Sequence, residues 1–415
     1  MTAPSLRWNR DFLLLQFSQL VSSGGSQITA IAYPLLVLSL TGSSAKAGIV
    51  AFARLLPIAL LSLPAGVAAD RLNRRWLMIA AHVLRALTVG TLAVLVATDR
   101  AVFWEIPVVA FAEGSGAALY AAAQGGALRA VVPREQLPAA VNVVTGREAA
   151  LRLATPPIGG ALFGIARALP FLIHALSYVV STALLLSMRT PFQEERAGDP
   201  ASLRSQLAEG VRFLWSQPFL RTMAFLFGLT NFIGPGVMLA IVVIGQNDGL
   251  TGGEIGLLVS AFGASVLLGS LVSPFLRKRL PVRGILLLEL WTCVGCGLFL
   301  VWPSVYVLAA SVVPTGLAIP STDSVVRSYE LSLTPDRLLG RVDGVRATIA
   351  LTIAPLGPLA AGYLLDVTSE RATIAVFTAV GLILALWGTF SRGIRAAPRL
   401  SGLAAPEPAL ADVRE

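Results

Sequence analysis

Side chains able to do chemistry are scarce in this sequence, and the most telling ones stand inside apolar runs. Glu113 lies about nine residues into the run Trp104 to Leu128, near mid-membrane if that run is a helix rising ~1.5 Å per residue. An unpaired charge at that depth costs about 2.5–3.5 kcal/mol or more, so intramembrane ionisable groups mark ion pathways or paired partners. A carboxyl in lipid is neutral only while it holds a proton, which suits a proton carrier. Glu113 is therefore the first candidate for proton coupling, with a structural partnership to a nearby arginine as the alternative. Asp323 and Glu148 are further coupling candidates. Asp323 and Arg327 are four residues apart and share one helix face, so they are expected to pair as a gate. Arg147, Glu148 and Arg152 cluster in sequence, Glu289 stands alone in a later run, and Arg54 and Arg85 read as buried partners. Gln19, Gln27 and Tyr33 in the first run and Asn231 in the seventh could line a central cavity, or hydrogen-bond between helices.

Covalent chemistry finds little support. No Gly-x-x-x-x-Gly-Lys-Ser/Thr loop occurs to cradle ATP. Two lysines and two histidines are too few to assemble a catalytic or metal constellation. Cys293 and Cys296, in Cys-Val-Gly-Cys, have no histidine nearby in sequence and read as small packing residues. No catalytic residue, metal or cofactor is expected. The net charge of +9 is spread over many loops rather than gathered into a patch, which argues against nucleic acid.

The elements that carry these residues are membrane helices. Of 415 residues, 55% are hydrophobic and 13% charged, too few charges to cover a soluble fold of this size. The apolar residues fall into runs long enough to span a bilayer. They do not alternate with polar ones as barrel strands would. Lipid offers no partner to backbone groups, so the runs must be helical. Twelve spans are expected: Phe12 to Leu40, Ala45 to Ala69, Trp76 to Ala97, Trp104 to Leu128, Ala139 to Ile165, Ala168 to Met188, Phe219 to Gln246, Glu254 to Leu276, Gly284 to Trp302, Ser304 to Val326, Val342 to Leu365 and Ala372 to Phe390.

Basic residues set the orientation. Alternate loops on one side hold only Lys46, Arg100, Arg167 and Arg371, and most of the remaining arginines lie on the other. That bias places both termini in the cytoplasm, in a multi-pass protein of the cell (inner) membrane. The chain divides into six-span halves at 1–188 and 219–392, a linker at 189–218 and a mobile tail at 393–415. Within the linker, Leu203 to Trp215 has the apolar spacing of a helix lying on the membrane surface. The halves repeat weakly. Pro133-Arg-Glu-Gln-Leu137 and Pro156-Pro-Ile-Gly159-Gly160 recur, at one constant offset, as Pro335-Asp-Arg-Leu-Leu339 and Pro358-Leu-Ala-Ala361-Gly362.

Two motifs carry mechanical information. Gly66-Val-Ala-Ala-Asp70-Arg71-Leu-Asn-Arg74-Arg75 fills a very short gap between the second and third spans. Gly66 permits a close approach or sharp turn. Asp70 can meet a cation or a helix N-terminus. Arg71, Arg74 and Arg75 can anchor the loop at an anionic leaflet. In the fifth span, Pro156 loosens the helix ladder, and Gly159 and Gly160 permit tight packing, so a bend is expected there.

The first motif resembles the loop 2–3 signature of major facilitator superfamily transporters. The segment Gln124 to Asn142, together with Arg152, resembles the enterobactin-exporter and macrolide-efflux branch of that superfamily. The resemblance implies the major facilitator fold: an all-α membrane protein of twelve transmembrane helices in two pseudo-symmetric six-helix halves around a central cavity. It implies that Asp70 locks the halves together on the cytoplasmic side, with partners near Gly340 and Arg341. Arg152, Pro156, Gly159 and Gly160 resemble the motif that marks exporters, with Leu151 and Thr155 where that motif has glycines. The implied activity is proton-coupled export of an amphipathic small molecule such as a drug, siderophore or secondary metabolite. Uptake or lysolipid-type flipping by the same fold, or a non-transporting scaffold, are the alternatives. The expected partners are the substrate, protons and the lipid bilayer, with neither ATP nor nucleic acid, and the chain is expected to act as a monomer.

Overall fold

The structure, a computed structural model, describes residues 6–190, 192 and 203–395, without the side chains of Arg7, Asp70, residues 203–207, Asp336 and Arg337. Much of the expected linker and nearly all of the expected tail lie outside these residues. Helices α1 (Arg10–Thr41), α2 (Ser44–Arg71), α3 (Arg74–Ala97), α4 (Glu105–Val131), α5 (Leu137–Ile165) and α6 (Leu169–Leu186) form the first half. Helix α7 (Leu203–Ser216) follows where the apolar spacing of the linker places it. The second half comprises α8 (Pro218–Asn247), α9 (Gly252–Arg279), α10 (Val282–Val301), α11 (Val305–Leu333), α12 (Leu338–Val367) and α13 (Glu370–Phe390).

Local sequence explains where these helices start and stop. The side chains of Asn9, Ser43, Asn73 and Ser369 accept hydrogen bonds from the first turns of α1, α2, α3 and α13, satisfying donors that no helical carbonyl can reach. Thr251 and Glu254 form a reciprocal capping box on α9. Gly42 ends α1 at φ 63°, a conformation open to a residue without Cβ. Eleven of the helices are long and apolar enough to cross a membrane. Helix α5 is as long, at 29 residues, but carries Arg147, Glu148 and Arg152. It runs unbroken through Pro156 and Pro157, whereas α12 is interrupted between Ile353 and Leu356 and α10 at Cys293–Gly297.

Side chains such as Leu87, Val94, Val108, Leu271 and Ile383 stay exposed on the outer surface, as lipid requires. Between the halves, α5 packs along α9 and α12 along α2. These two contacts are built alike. Gly256 lies on the Pro156–Pro157 backbone, and Gly48 lies on the Pro358 carbonyl. Gly160 meets the Gly252 carbonyl, and Gly362 meets the Ser44 carbonyl. The sequence repeat is therefore a repeat of interfaces, in which small residues let backbones touch. Both contacts close the halves at the face away from the termini, where the Asp366 carboxylate also accepts from the Ser44 amide at 2.9 Å. Towards the face carrying the termini, a Cβ added at Gly66, Gly125, Gly146, Gly340 or Gly344 would meet open space.

Candidate functional site

The polar groups gather at two places, one in each half. The first surrounds Glu113 on α4, which is 1% exposed. Two glycines shape its surroundings. At Gly114 the absent Cβ lets α2 bring its Arg54 carbonyl against α4, and at Gly116 it leaves room for the Arg85 side chain from α3. Glu113 Oε1 lies 3.2 Å from Arg54 Nη2 and 3.6 Å from Arg85 Nη2. Ser26 on α1 donates to the same oxygen at 3.3 Å, and His174 Nε2 on α6 is 3.9 Å away. Arg54 also donates to the Ser26 carbonyl at 2.8 Å. The Arg85 guanidinium stacks over the Tyr178 ring at 4.3 Å. One carboxylate thus faces two buried guanidinium groups. Protonating it would leave both without their anion, a costly state in a low-dielectric interior.

Separate buried hydrogen bonds surround this centre. His174 Nδ1 meets Thr29 Oγ1 at 2.9 Å, and His82 Nε2 meets Ser181 Oγ at 2.9 Å. Ser181 in turn bonds Ser18 at 2.5 Å. Nearer the terminal face, Arg147 donates to both Gln16 and Gln19 at 2.6 Å and pairs with Glu148 at 2.9 Å. Gln19 is 1% exposed, so it holds Arg147 in place rather than facing a described cavity.

The second place is a cavity of about 490 Å³ in the other half, large enough for a drug-sized molecule. Helices α8, α9, α10, α11 and α12 form its wall, and Arg152 reaches in from α5 across the interface. Its charged lining residues are Glu289, Asp323, Arg152 and Arg346, and Phe227 and Phe262 supply aromatic surface. Asn231 lines it, as expected, and its amide donates to the Phe227 carbonyl at 2.8 Å. Cys293 and Cys296, read from sequence as packing residues, are free and buried and also border it. A smaller cavity of about 250 Å³ adjoins it through Pro235 and Met238 and is lined by Gln27, Tyr33, Arg54 and Pro156.

The expected gate pair of Asp323 with Arg327 does not form. Arg327 instead meets Glu330 at 3.2 Å and Asp343 at 3.4 Å. A residue three along a helix is as near a neighbour as one four along, and α12 brings Asp343 to the same spot. Arg346 joins this network at 2.6 Å from Asp343 and 3.6 Å from Glu330. Asp323 is left facing the cavity.

The loop motif is distributed. Arg74 Nε donates to the Ala69 carbonyl at 3.2 Å. Arg75 donates to Leu185 O at 3.0 Å and also bonds Leu186 O, placing a cation on the C-terminal carbonyls of α6. Arg71 is exposed, and the side chain of Asp70 lies outside the described residues. Arg341, expected opposite Asp70, bonds Glu209 of α7, and Gly340 meets open space. The exporter-like residues serve packing. Pro156 and Gly160 sit on α9, Gly159 sits on the Ile28 carbonyl of α1, and the Arg152 backbone lies against Gly263.

Sequence reasoning noted Glu289 but gave it no place in the site. Its position in an apolar run was a signal, but the cavity it faces is formed by helices distant in sequence.

Comparison with known proteins agrees with this geometry. A family model described as "Transmembrane secretion effector" matches residues 4–397. A protein named multidrug efflux pump Tap, from Mycolicibacterium fortuitum, is 27% identical over 407 residues, covering 92% of this chain and 96% of its own. Among solved structures, an inward-facing, unoccupied bacterial homologue of the human lysosomal transporter Spinster superposes with a TM-score of 0.72 at 15% identity, covering 94% of this chain and 98% of its own. A D-xylose–proton symporter does so at 0.71 and 12% identity, over 96% and 99%. The structural likenesses establish the twelve-helix fold in two halves and leave cargo open.

Proposed function

The chain belongs to the transmembrane secretion effector family and is a membrane transporter, and on that premise we propose that it exports amphipathic small molecules in exchange for protons. The observation that carries this reading is the larger cavity, which lies in the second half with Arg152 of the first at its wall. It is closed at the face away from the termini by paired glycine contacts and lined by apolar, aromatic and ionisable side chains. Rocking of one half against the other about those contacts would expose the cavity to alternate sides. The arginine-rich loops fit a cytoplasmic location for the face carrying the termini, in the inner membrane. A single chain supplies both halves and the cavity, which fits a monomer, and the ion gradient rather than ATP would drive the cycle.

Of the three carboxylates expected to carry the proton, their surroundings separate the roles. Glu113 faces two arginines and Glu148 one. Asp323 faces the cavity without an ion pair among the described residues, and it is the coupling carboxylate of this proposal. In the same reading Asp70, with Arg71, Arg74 and Arg75, forms the cytoplasmic gate that closes when the cavity faces outward.

Everted membrane vesicles test the proposal with ethidium as the probe. Energised vesicles containing the protein should accumulate ethidium, and nigericin should abolish the accumulation. Accumulation only in right-side-out vesicles, or insensitivity to nigericin, would overturn the export reading in favour of uptake or of another driving force.

A further inference from the structure

Glu289 is 6% exposed and faces the larger cavity. No guanidinium or ammonium lies within ion-pair distance of it among the described residues. The Thr322 hydroxyl, itself buried, lies beside it. A buried carboxylate with no cation is costly, so Glu289 is neutral while it holds a proton, and once ionised its charge must be offset from the cavity. Asp323 opens into the same space from α11. Their surroundings can be counted from every helix around them. Helix α5 contributes Arg152, α11 contributes Arg327 and Glu330, and α12 contributes Asp343 and Arg346. Arg327 and Arg346 are absorbed by Glu330 and Asp343. Arg152 can balance only one of the two cavity carboxylates. With both cavity carboxylates ionised, the cluster among the described residues therefore holds one negative charge too many.

We propose that this cavity is a binding site for a monovalent organic cation, with Glu289 as its buried anionic end. The walls suit such a ligand. Phe227 and Phe262 offer aromatic faces to a dispersed positive charge. Met223 and Met238 are flexible, polarisable surfaces that adapt to varied shapes. Arg152, entering from the other half, is a competing cation. A ligand beside Asp323 shares the cavity with Arg152 and so meets residues of both halves, which ties occupancy to their movement. The other half carries the opposite balance. There Arg54 and Arg85 surround the single carboxylate Glu113, so the smaller cavity that Arg54 lines does not favour a cation. This inference deepens the export reading by naming the substrate class.

Binding of tetraphenylphosphonium and tetraphenylborate to the purified full-length protein tests it, because the two probes share a shape and differ in sign. The wild type should bind the phosphonium at least about 30-fold more tightly than the borate, and Glu289→Gln should weaken the phosphonium about 30-fold. Arg152→Gln should tighten it, and Glu105→Gln, at a distant carboxylate, should leave it unchanged. Should Glu289→Gln fail to fold, Asp323→Asn, which removes one negative charge from the same cluster, should likewise weaken the phosphonium. Equal affinity for both probes, or unchanged phosphonium binding in Glu289→Gln, overturns the site. The readout is independent of transport. Nigericin-sensitive movement of a neutral tracer, with phosphonium binding indifferent to Glu289, would sink the cation site and leave export standing. Glu289-dependent binding in vesicles that move nothing would do the reverse.

Discussion

Replacing Glu113 with glutamine should destabilise the first half rather than merely uncouple transport. The substitution keeps the shape and removes the charge. What remains is Arg85, 5% exposed, and Arg54, whose side chain is 20% exposed. Arg54 can turn towards the smaller cavity that it lines. Arg85 has no such route, because it is held between Gly116 and the Tyr178 ring. Removing one partner of a buried ion pair costs about 3–5 kcal/mol, since the other charge stays buried and uncompensated. Spread over a half of this size, that loss corresponds to a fall of roughly 10 °C in melting temperature. Thermal unfolding of the detergent-solubilised protein, followed by intrinsic tryptophan fluorescence, measures it. The double variant Glu113→Gln with Arg85→Gln should recover a good part of the loss, because it removes the stranded cation as well. A melting temperature within about 2 °C of wild type for Glu113→Gln would refute this reasoning. It would return Glu113 to the role of a proton carrier that cycles without structural consequence.

Other perturbations probe the rest of the architecture. Gly160→Val places a side chain into the Gly252 carbonyl, so the halves should no longer close at the face away from the termini. The variant should insert normally yet transport ethidium at background rate, and wild-type transport would contradict the proposed closure. Glu209→Ala and Arg341→Ala should each loosen α7 from α12, by about 1–2 kcal/mol. Measured by melting, their effects should fall short of additive in the double variant, and full additivity would show that the bond carries nothing. Cysteines placed at Arg75 and Arg279 should resist an impermeant maleimide in intact cells and react in everted vesicles. Ready labelling in intact cells would reverse the orientation.

The fold was largely legible because lipid imposes a single solution on a long apolar run. Each backbone must satisfy itself, so length and hydropathy alone mark the helices. The fifth helix shows the limit of that reasoning. Arg147, Glu148 and Arg152 interrupt its apolar run, and the structure accounts for them separately: Arg147 is bonded by Gln16, Gln19 and Glu148, and Arg152 lines a cavity. The repeat of Pro156-Pro-Ile-Gly159-Gly160 in Pro358-Leu-Ala-Ala361-Gly362 was legible as well, and it proved to mark where the halves touch. The expected pairing of Asp323 with Arg327 failed for an equally physical reason. Spacing along one helix says which residues can meet, but a neighbouring helix decides which do.

By itself the sequence determined the apolar spans that become helices and the presence of ionisable residues inside them. Both depend on local composition and on the solvent around each segment. Which charges are stranded was decided only by tertiary structure. Glu113 and Glu289 look alike along the chain, each a lone carboxylate in an apolar run. One is enclosed by two arginines from other helices and the other faces an empty space. A charge is judged by what lies within a few ångströms of it, and in a helical bundle those neighbours come from distant parts of the sequence.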